Sequence, residues 1–210
     1  MDAAAVVYVH GLWMVGAECL PLRQRLRRDR GYRLHVFRYG SVRAPMASIA
    51  SALGAQIARI DAPQVHLLGH SLGGAVILHC LQRYPMAQPG RVVFLGAPVL
   101  GSSTARLLAG WRAGRCLLGR AASAELLQPR VQRWDLPREL GIIAGTLPFG
   151  FGQLLLKFGE DNDGTVAVSE THLPGAAGYA TLPVSHMGLL WSPAVAREVG
   201  SFLEHGRFGL

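Results

Sequence analysis

The residues with the clearest capacity for chemistry are Gly69-His70-Ser71-Leu72-Gly73-Gly74, which follow a short apolar run and precede an apolar helical pattern. A serine held on a sharp turn between a strand and a helix leaves no room for side chains two positions to either side, so glycine stands at both. The turn lifts the serine Oγ above the sheet edge, and the following helix aims its N-terminus at a reacting carbonyl. The chemistry that fits is nucleophilic attack on a carbonyl carbon with transfer of the acyl group. The bland alternative is a glycine-rich strand–helix turn that happens to contain a serine. The apolar run on one side and Gly74 with an apolar helix on the other favour the chemical reading.

A serine needs a base, and the base needs an orienting acid; around a turn of this kind they follow in the order serine, acid, histidine. Four histidines follow Ser71: His79, His172, His186 and His205. His79 falls within the helix after the turn, pointing away from Oγ or into the core, and His205 falls at the exposed end of the last helix. His186, in the loop Pro183-Val184-Ser185-His186-Met187-Gly188, is the favoured base, with His172 in reserve. For the acid the candidates are Glu160, Asp161, Asp163 and Glu170. Asp163 is favoured because it precedes a turn glycine and a short apolar run, which would project its carboxylate from a fixed position. Asp161 could act from slightly earlier, and Asn-Asp-Gly is also a good turn sequence in its own right. The acids lack the alternation and closing glutamate of a calcium loop, so neither a metal nor another cofactor is expected.

An oxyanion needs two backbone donors. The N–H of Leu72, directly after the serine, is one. The second is expected in His10-Gly11-Leu12-Trp13, where Gly11 allows close backbone approach and Leu12 supplies the N–H. His10 precedes the serine and is read as a brace of that loop. Trp13, Trp111, Phe149 and Phe151 are the apolar side chains expected to meet the substrate.

These residues need a scaffold. Short β-branched runs alternate with longer amphipathic stretches, the pattern of a parallel sheet covered by helices. Strands are expected at Val6–Val9, Leu34–Phe37, Val65–Leu68, Arg91–Leu95, Leu140–Ala144 and Ala176–Leu182, with helices at Glu18–Arg30, Ala47–Ile60, Gly73–Arg83 and Pro193–Glu204. Residues 101–136, rich in Leu, Trp and Arg, fall outside this pattern and read as a lid or cap insertion, or as extra packing helices.

With 210 residues, half of them hydrophobic and 16% charged, the chain reads as one globular domain over residues 1–210. The formal charge of +8 is almost all arginine, since Lys157 is the only lysine. An anionic membrane surface is a partner this charge allows; a solvated, arginine-biased helix face around Arg23–Arg33 is the simpler reading. No aromatic residues interleave with the arginines there, so no nucleic-acid partner is expected. Cys19, Cys80 and Cys116 show no redox or metal spacing and are read as buried thiols in a reducing compartment. No signal-peptide pattern or membrane-length apolar run is seen, so a cytoplasmic location is expected; the oligomeric state is open.

Taken together, His10-Gly11-Leu12, Gly69-His70-Ser71-Leu72-Gly73-Gly74, Gly96-Ala97-Pro98, Asn162-Asp163-Gly164-Thr165-Val166 and Ser185-His186 resemble the lipase/esterase group of the α/β-hydrolase superfamily. The likeness is greatest to short bacterial lipases and related deacylase-like hydrolases and spans residues 4 to 204. It implies Ser71 as nucleophile, Asp163 as acid, His186 as base, and Leu12 with Leu72 as oxyanion donors. The first two strands of the full fold have no counterpart, because Val6–Val9 matches the strand normally third. A trimmed, mostly parallel six-stranded sheet with helices on both faces is therefore expected, one edge needing cover. The function implied is hydrolysis of an ester, small-molecule or lipid, with a hydrophobic acyl chain. The alternatives are an acyltransferase or thioesterase using the same residues, and a catalytically silent binding module.

Overall fold

Five fully buried residues, Ala5–Val9, form strand β1, and the sheet grows from it in both directions. β1 pairs in parallel with β2 (Arg33–Phe37) on one side and β3 (Val65–His70) on the other. β4 (Val92–Leu95), β5 (Leu140–Gly145) and β6 (Gly178–Leu182) follow, giving one six-stranded sheet in the order β2-β1-β3-β4-β5-β6. Every pairing is parallel. The computed structural model describes residues 4–84, 86–127, 131–150 and 158–210.

The four inner strands are buried along their whole length, as an apolar run covered on both faces must be. The edge strands β2 and β6 instead mix exposed and buried positions. Edge β2 is short and carries Arg33 outward, which discourages pairing with another chain.

Helices cover both faces and divide the core in two. On one face α2 (Met46–Ala58) and α3 (Leu72–Arg83) bury Ile49, Leu53, Ile57, Val76 and Ile77 against Val7, Leu67 and Phe94. On the other, α1 (Leu20–Arg30) and the closing helix Pro193–His205 bury Leu22, Leu26, Val199 and Phe202 against Val6, Leu68 and Ile143.

Two helices depart from the expected boundaries by two residues, for identifiable reasons, and β3 and β6 shift by two residues at one end. The helix expected from Glu18 is split into a single 3₁₀ turn, Ala17–Cys19, and α1. Pro21 explains the break, because its ring would clash with the carbonyl four residues back if an α-helix ran through Glu18. α2 stops at Ala58, where Arg59 and Ile60 donate only three residues back, to the carbonyls of Gln56 and Ile57. Two four-residue helices, α6 (Val168–Thr171) and α7 (Gly188–Trp191), are too short to show a period in sequence; the closing helix is then α8.

Residues of the 101–136 insertion form α4 (Ser103–Ala109) and α5 (Arg112–Leu126), the latter broken at Gly119. They are bonded to the body at several points. Thr104 Oγ1 donates to Thr165 O, Ser103 N to the Glu170 carboxylate, and Arg120 N to Val42 O, while Ser102 N donates to Leu126 O within the insertion itself. Leu118, Ala121, Ala122 and Leu126 are part of the core. Cys19 and Cys80 are buried as expected, and burial pushes their thiols up to about 12 and about 11. Cys116 corrects that expectation: it is exposed on the outer side of α5, whose inward side is taken by Gly114 and Leu118. Among the described residues no helix is long and apolar enough to cross a membrane.

Two buried histidines make stability sensitive to acid. His66 Nδ1 accepts from Arg91 N, and burial, helped by nearby Arg91 and Arg138, pushes its pKa down from 6.5 to about 4. His70 is fully buried, and desolvation first, then proximity to His186, holds it well below the ordinary histidine value. Both stay neutral in the folded chain and become protonated only on unfolding as pH falls below about 6.5. Their stabilising contribution is therefore complete above that pH and declines from there toward about 4. Thermal melting followed by circular dichroism should give a Tm at pH 5 several degrees below that at pH 7.5. A flat or rising Tm over this range would contradict the assignment of neutral buried rings.

Candidate active site

β3 ends at His70 and α3 begins at Leu72, so Ser71 alone makes the turn, with φ 54° and ψ −125°. A non-glycine residue rarely adopts this conformation, and it persists only where its surroundings enforce it. Ser71 N donates to Leu95 O and Gly74 N to Ser71 O, which pins the turn between β4 and α3. The flanking glycines are there for space. A Cβ on Gly73 would lie 2.0 Å from Val9 O, and one on Gly69 would lie 2.8 Å from the Gly74 backbone. Leu72 opens α3, so its N–H has no acceptor within the helix.

The loop after β1 comes up beside this turn. A Cβ on Gly11 would lie 3.0 Å from Ser71 Cβ, so the Gly11–Leu12 backbone runs directly against the serine. His10 braces the loop as expected: its ring stacks on Tyr39, and Tyr39 Oη donates to His10 O at 2.7 Å. Trp13, at φ 60°, donates from its backbone N–H to Ser41 Oγ and from Nε1 to Leu117 O. The indole thus clasps the β1 loop to α5.

Asp163 and His186 meet. His186 Nδ1 lies 2.6 Å from Asp163 Oδ2, and the carboxyl is only 1% exposed. An ionised carboxylate only accepts, so Nδ1 carries the proton and Nε2 presents its lone pair. The other carboxylate oxygen, Oδ1, accepts from the N–H groups of Thr165 and Val166. His186 N donates to Asp163 O, so backbone and side chain both register the pair. His70, adjacent to the serine, contacts the His186 carbonyl through Nε2 at 3.0 Å. That oxygen can only accept, so Nε2 is the protonated nitrogen of His70.

The other sequence candidates lie elsewhere. Asp161 is exposed, and Glu170 is spent on the N–H groups of Ser103 and Ala167, fastening α4 to α6. Glu160 binds Ser169 Oγ. His172 is exposed and stacks on Tyr179, His79 lies 3.5 Å from Glu125 across α3 and α5, and His205 ends α8. Gly96 has a role the sequence does not announce. At φ 52°, a Cβ there would lie 2.9 Å from Asp163 Oδ2 and 3.1 Å from His186 Nδ1.

A cavity of about 250 Å³ opens over these groups, lined by Ser71, His186, Leu12, Leu108, Leu118 and Leu126 among others. Its walls are mainly apolar. Trp13 and Phe149, 51% and 76% exposed, line it. Trp111, expected to meet the substrate, stands instead at the N-cap position of α5, 58% exposed, and does not line the cavity. Phe151 lies outside the described residues. Among the described residues no cluster of three or more His, Cys, Asp or Glu is placed to hold a metal ion.

Residues 6–201 match the sequence profile of the alpha/beta hydrolase family, and the chain belongs to that family. No curated protein matches it by sequence. Among solved structures it resembles a metagenomic carboxyl esterase, with TM-score 0.64 and 21% identity, covering 89% of this chain and 65% of that one. It also resembles phospholipase PlaB from Legionella pneumophila, with TM-score 0.63 and 18% identity, covering 81% of this chain and 44% of that one. A third is the RedJ thioesterase of the prodiginine pathway in Streptomyces coelicolor, with TM-score 0.59 and 14% identity, covering 96% and 84%. The chain spans less than two thirds of the length of the first two. At these identities the likeness is one of fold.

The Gly96 contact is testable without reference to any reaction. Gly96→Ala should abolish the downfield imidazole proton resonance of the His186–Asp163 hydrogen bond while leaving the far-ultraviolet circular dichroism intact. An unchanged resonance in the variant would show that the pair does not depend on the missing side chain.

Proposed function

We propose that the chain is a serine hydrolase that cleaves a carboxylic ester with a hydrophobic acyl group through a covalent acyl-enzyme. The observation that carries this reading is the buried His186–Asp163 pair, whose imidazole shares an apolar cavity with Ser71 on its strained turn.

In the mechanism, His186 Nε2 takes the Ser71 proton as Oγ attacks the carbonyl carbon, and Asp163 stabilises the imidazolium and holds its orientation. The tetrahedral oxyanion is received by the N–H groups of Leu12 and Leu72, at the loop beside the serine and the start of α3. His186 then protonates the departing alcohol. Water, deprotonated by the same nitrogen, attacks the acyl-Ser71 ester; its collapse returns the carboxylic acid and free serine. The leucine side of the cavity suits an aliphatic chain, and Trp13 and Phe149 would flank its entry. The esterase among the structural neighbours supports this class. A thioester is the second candidate, on the thioesterase fold likeness, since the same residues serve either leaving group.

Two kinetic outcomes follow. Ser71→Ala should lower kcat for p-nitrophenyl ester hydrolysis by roughly 10⁶-fold, and Asp163→Asn by roughly 10⁴-fold, as in other triads. Undiminished turnover in Ser71→Ala would remove the proposal. Across acyl chains, kcat/KM should rise from acetyl to medium-length esters as methylenes enter the cavity, each worth up to about 0.8 kcal/mol of burial. A steady fall from acetyl to octanoyl would exclude an apolar acyl site.

A further inference from the structure

The outer side of α5 has no role in the mechanism, yet it is unusual for an exposed helix. Between Trp111 and Leu117 only Gly114 turns inward, and Trp111, Arg112, Arg115, Cys116 and Leu117 all face outward. The sole acid of the helix, Glu125, is not on this face: it lies inward, against His79. Two bonds fix what surrounds the face. Trp13 Nε1 donates to Leu117 O, bringing an indole that is 51% exposed alongside it. Arg120 N donates to Val42 O, bringing the exposed Arg43 alongside as well. Trp13 also lines the cavity, as does Phe149. The result is an exposed surface of tryptophan, leucine and arginine that reaches the cavity through Trp13.

We propose that this face of α5, with Trp13 and Arg43, docks on anionic lipid bilayers and seats the cavity mouth against the lipid. The composition fits that occupant. Amphipathic indole rings settle at the headgroup level, apolar side chains enter the acyl boundary, and arginines pair with anionic headgroups. The broader positive charge of the chain adds long-range attraction, but the docking is local to this end of the molecule. α1, α2 and α3 return antiparallel to their strands, so Arg27, Arg59 and Arg83 near their C-termini lie at the opposite pole.

The lipid ester that such docking would deliver depends on the proposed acyl-transfer activity, so binding is measured apart from it. Cys116 is the one exposed thiol of the three, and it sits in the centre of the face. Ser71→Ala protein labelled there with an environment-sensitive fluorophore is titrated with phosphatidylglycerol vesicles and with phosphatidylcholine vesicles. The expected result is salt-sensitive binding to phosphatidylglycerol, weak binding to phosphatidylcholine, and a blue-shifted, brighter label on binding. Arg43→Glu/Arg112→Glu/Arg120→Glu should weaken vesicle affinity on the order of 100-fold, at about one headgroup-scale interaction per arginine. The matched control Arg27→Glu/Arg59→Glu/Arg83→Glu changes net charge equally and should stay within about threefold of the parent. Both triple changes, made with Ser71 intact, should leave hydrolysis of a soluble short ester unchanged. No binding to phosphatidylglycerol at low salt, binding with an unshifted label, or an equal loss in the control would each overturn the docking surface. None of these outcomes touches the hydrolysis proposal, which stands or falls on soluble esters.

Discussion

The constraint on which the rest of the structure depends is the conformation of one residue. Ser71 sits at φ 54° between the end of β3 and the start of α3, and an L-residue stays there only under compulsion from its neighbours. The compulsion is steric and hydrogen-bonded together. α3 packs so closely on β1 that a methyl at Gly73 would strike Val9 O, and Leu95 O on β4 holds the serine N–H from the other side. Strands on both flanks of β3 must therefore be in place before the turn can exist. The site accordingly sits at the carboxyl ends of the inner strands.

The same ends gather the other parts. The loop after β1 is pressed against Ser71 at Gly11; Gly96, just past β4, leaves room for the Asp163–His186 pair; and the loops after β5 and β6 carry the pair itself. Each contact is short because the sheet is parallel and its loops all rise on one side. The insertion then completes the enclosure. α4 and α5 contribute leucines to the cavity while burying Ala121 and Ala122 in the core, so the apolar wall and the fold share side chains. His79 and Glu125 bridge α3 and α5 below it.

Much of this is legible in the sequence. The strand–turn–helix around Ser71 is written in local spacing, and Asp163 and His186 stand out by chain order and turn chemistry. What was not legible depends on long-range approach. Gly96 looks like any glycine after a strand until Asp163 and His186, far along the chain, arrive beside it. Trp13 could be read as a substrate contact, but its clasp on Leu117 joins residues 104 positions apart and has no local signature. Trp111 was expected to meet the substrate and Cys116 to be buried; Gly114 and Leu118 take the inward side of α5 instead. Pro21 could have revealed the split before α1, since its ring forbids a helix through Glu18.

The most direct test of the central claim, that Ser71 is activated by His186 for acyl transfer, is covalent capture by a fluorophosphonate followed by peptide mass spectrometry. A single adduct on Ser71 is expected, formed rapidly in the parent protein and slowed by orders of magnitude in His186→Ala. An adduct on another residue, no adduct at all, or labelling of Ser71 at the same rate without His186 would contradict it.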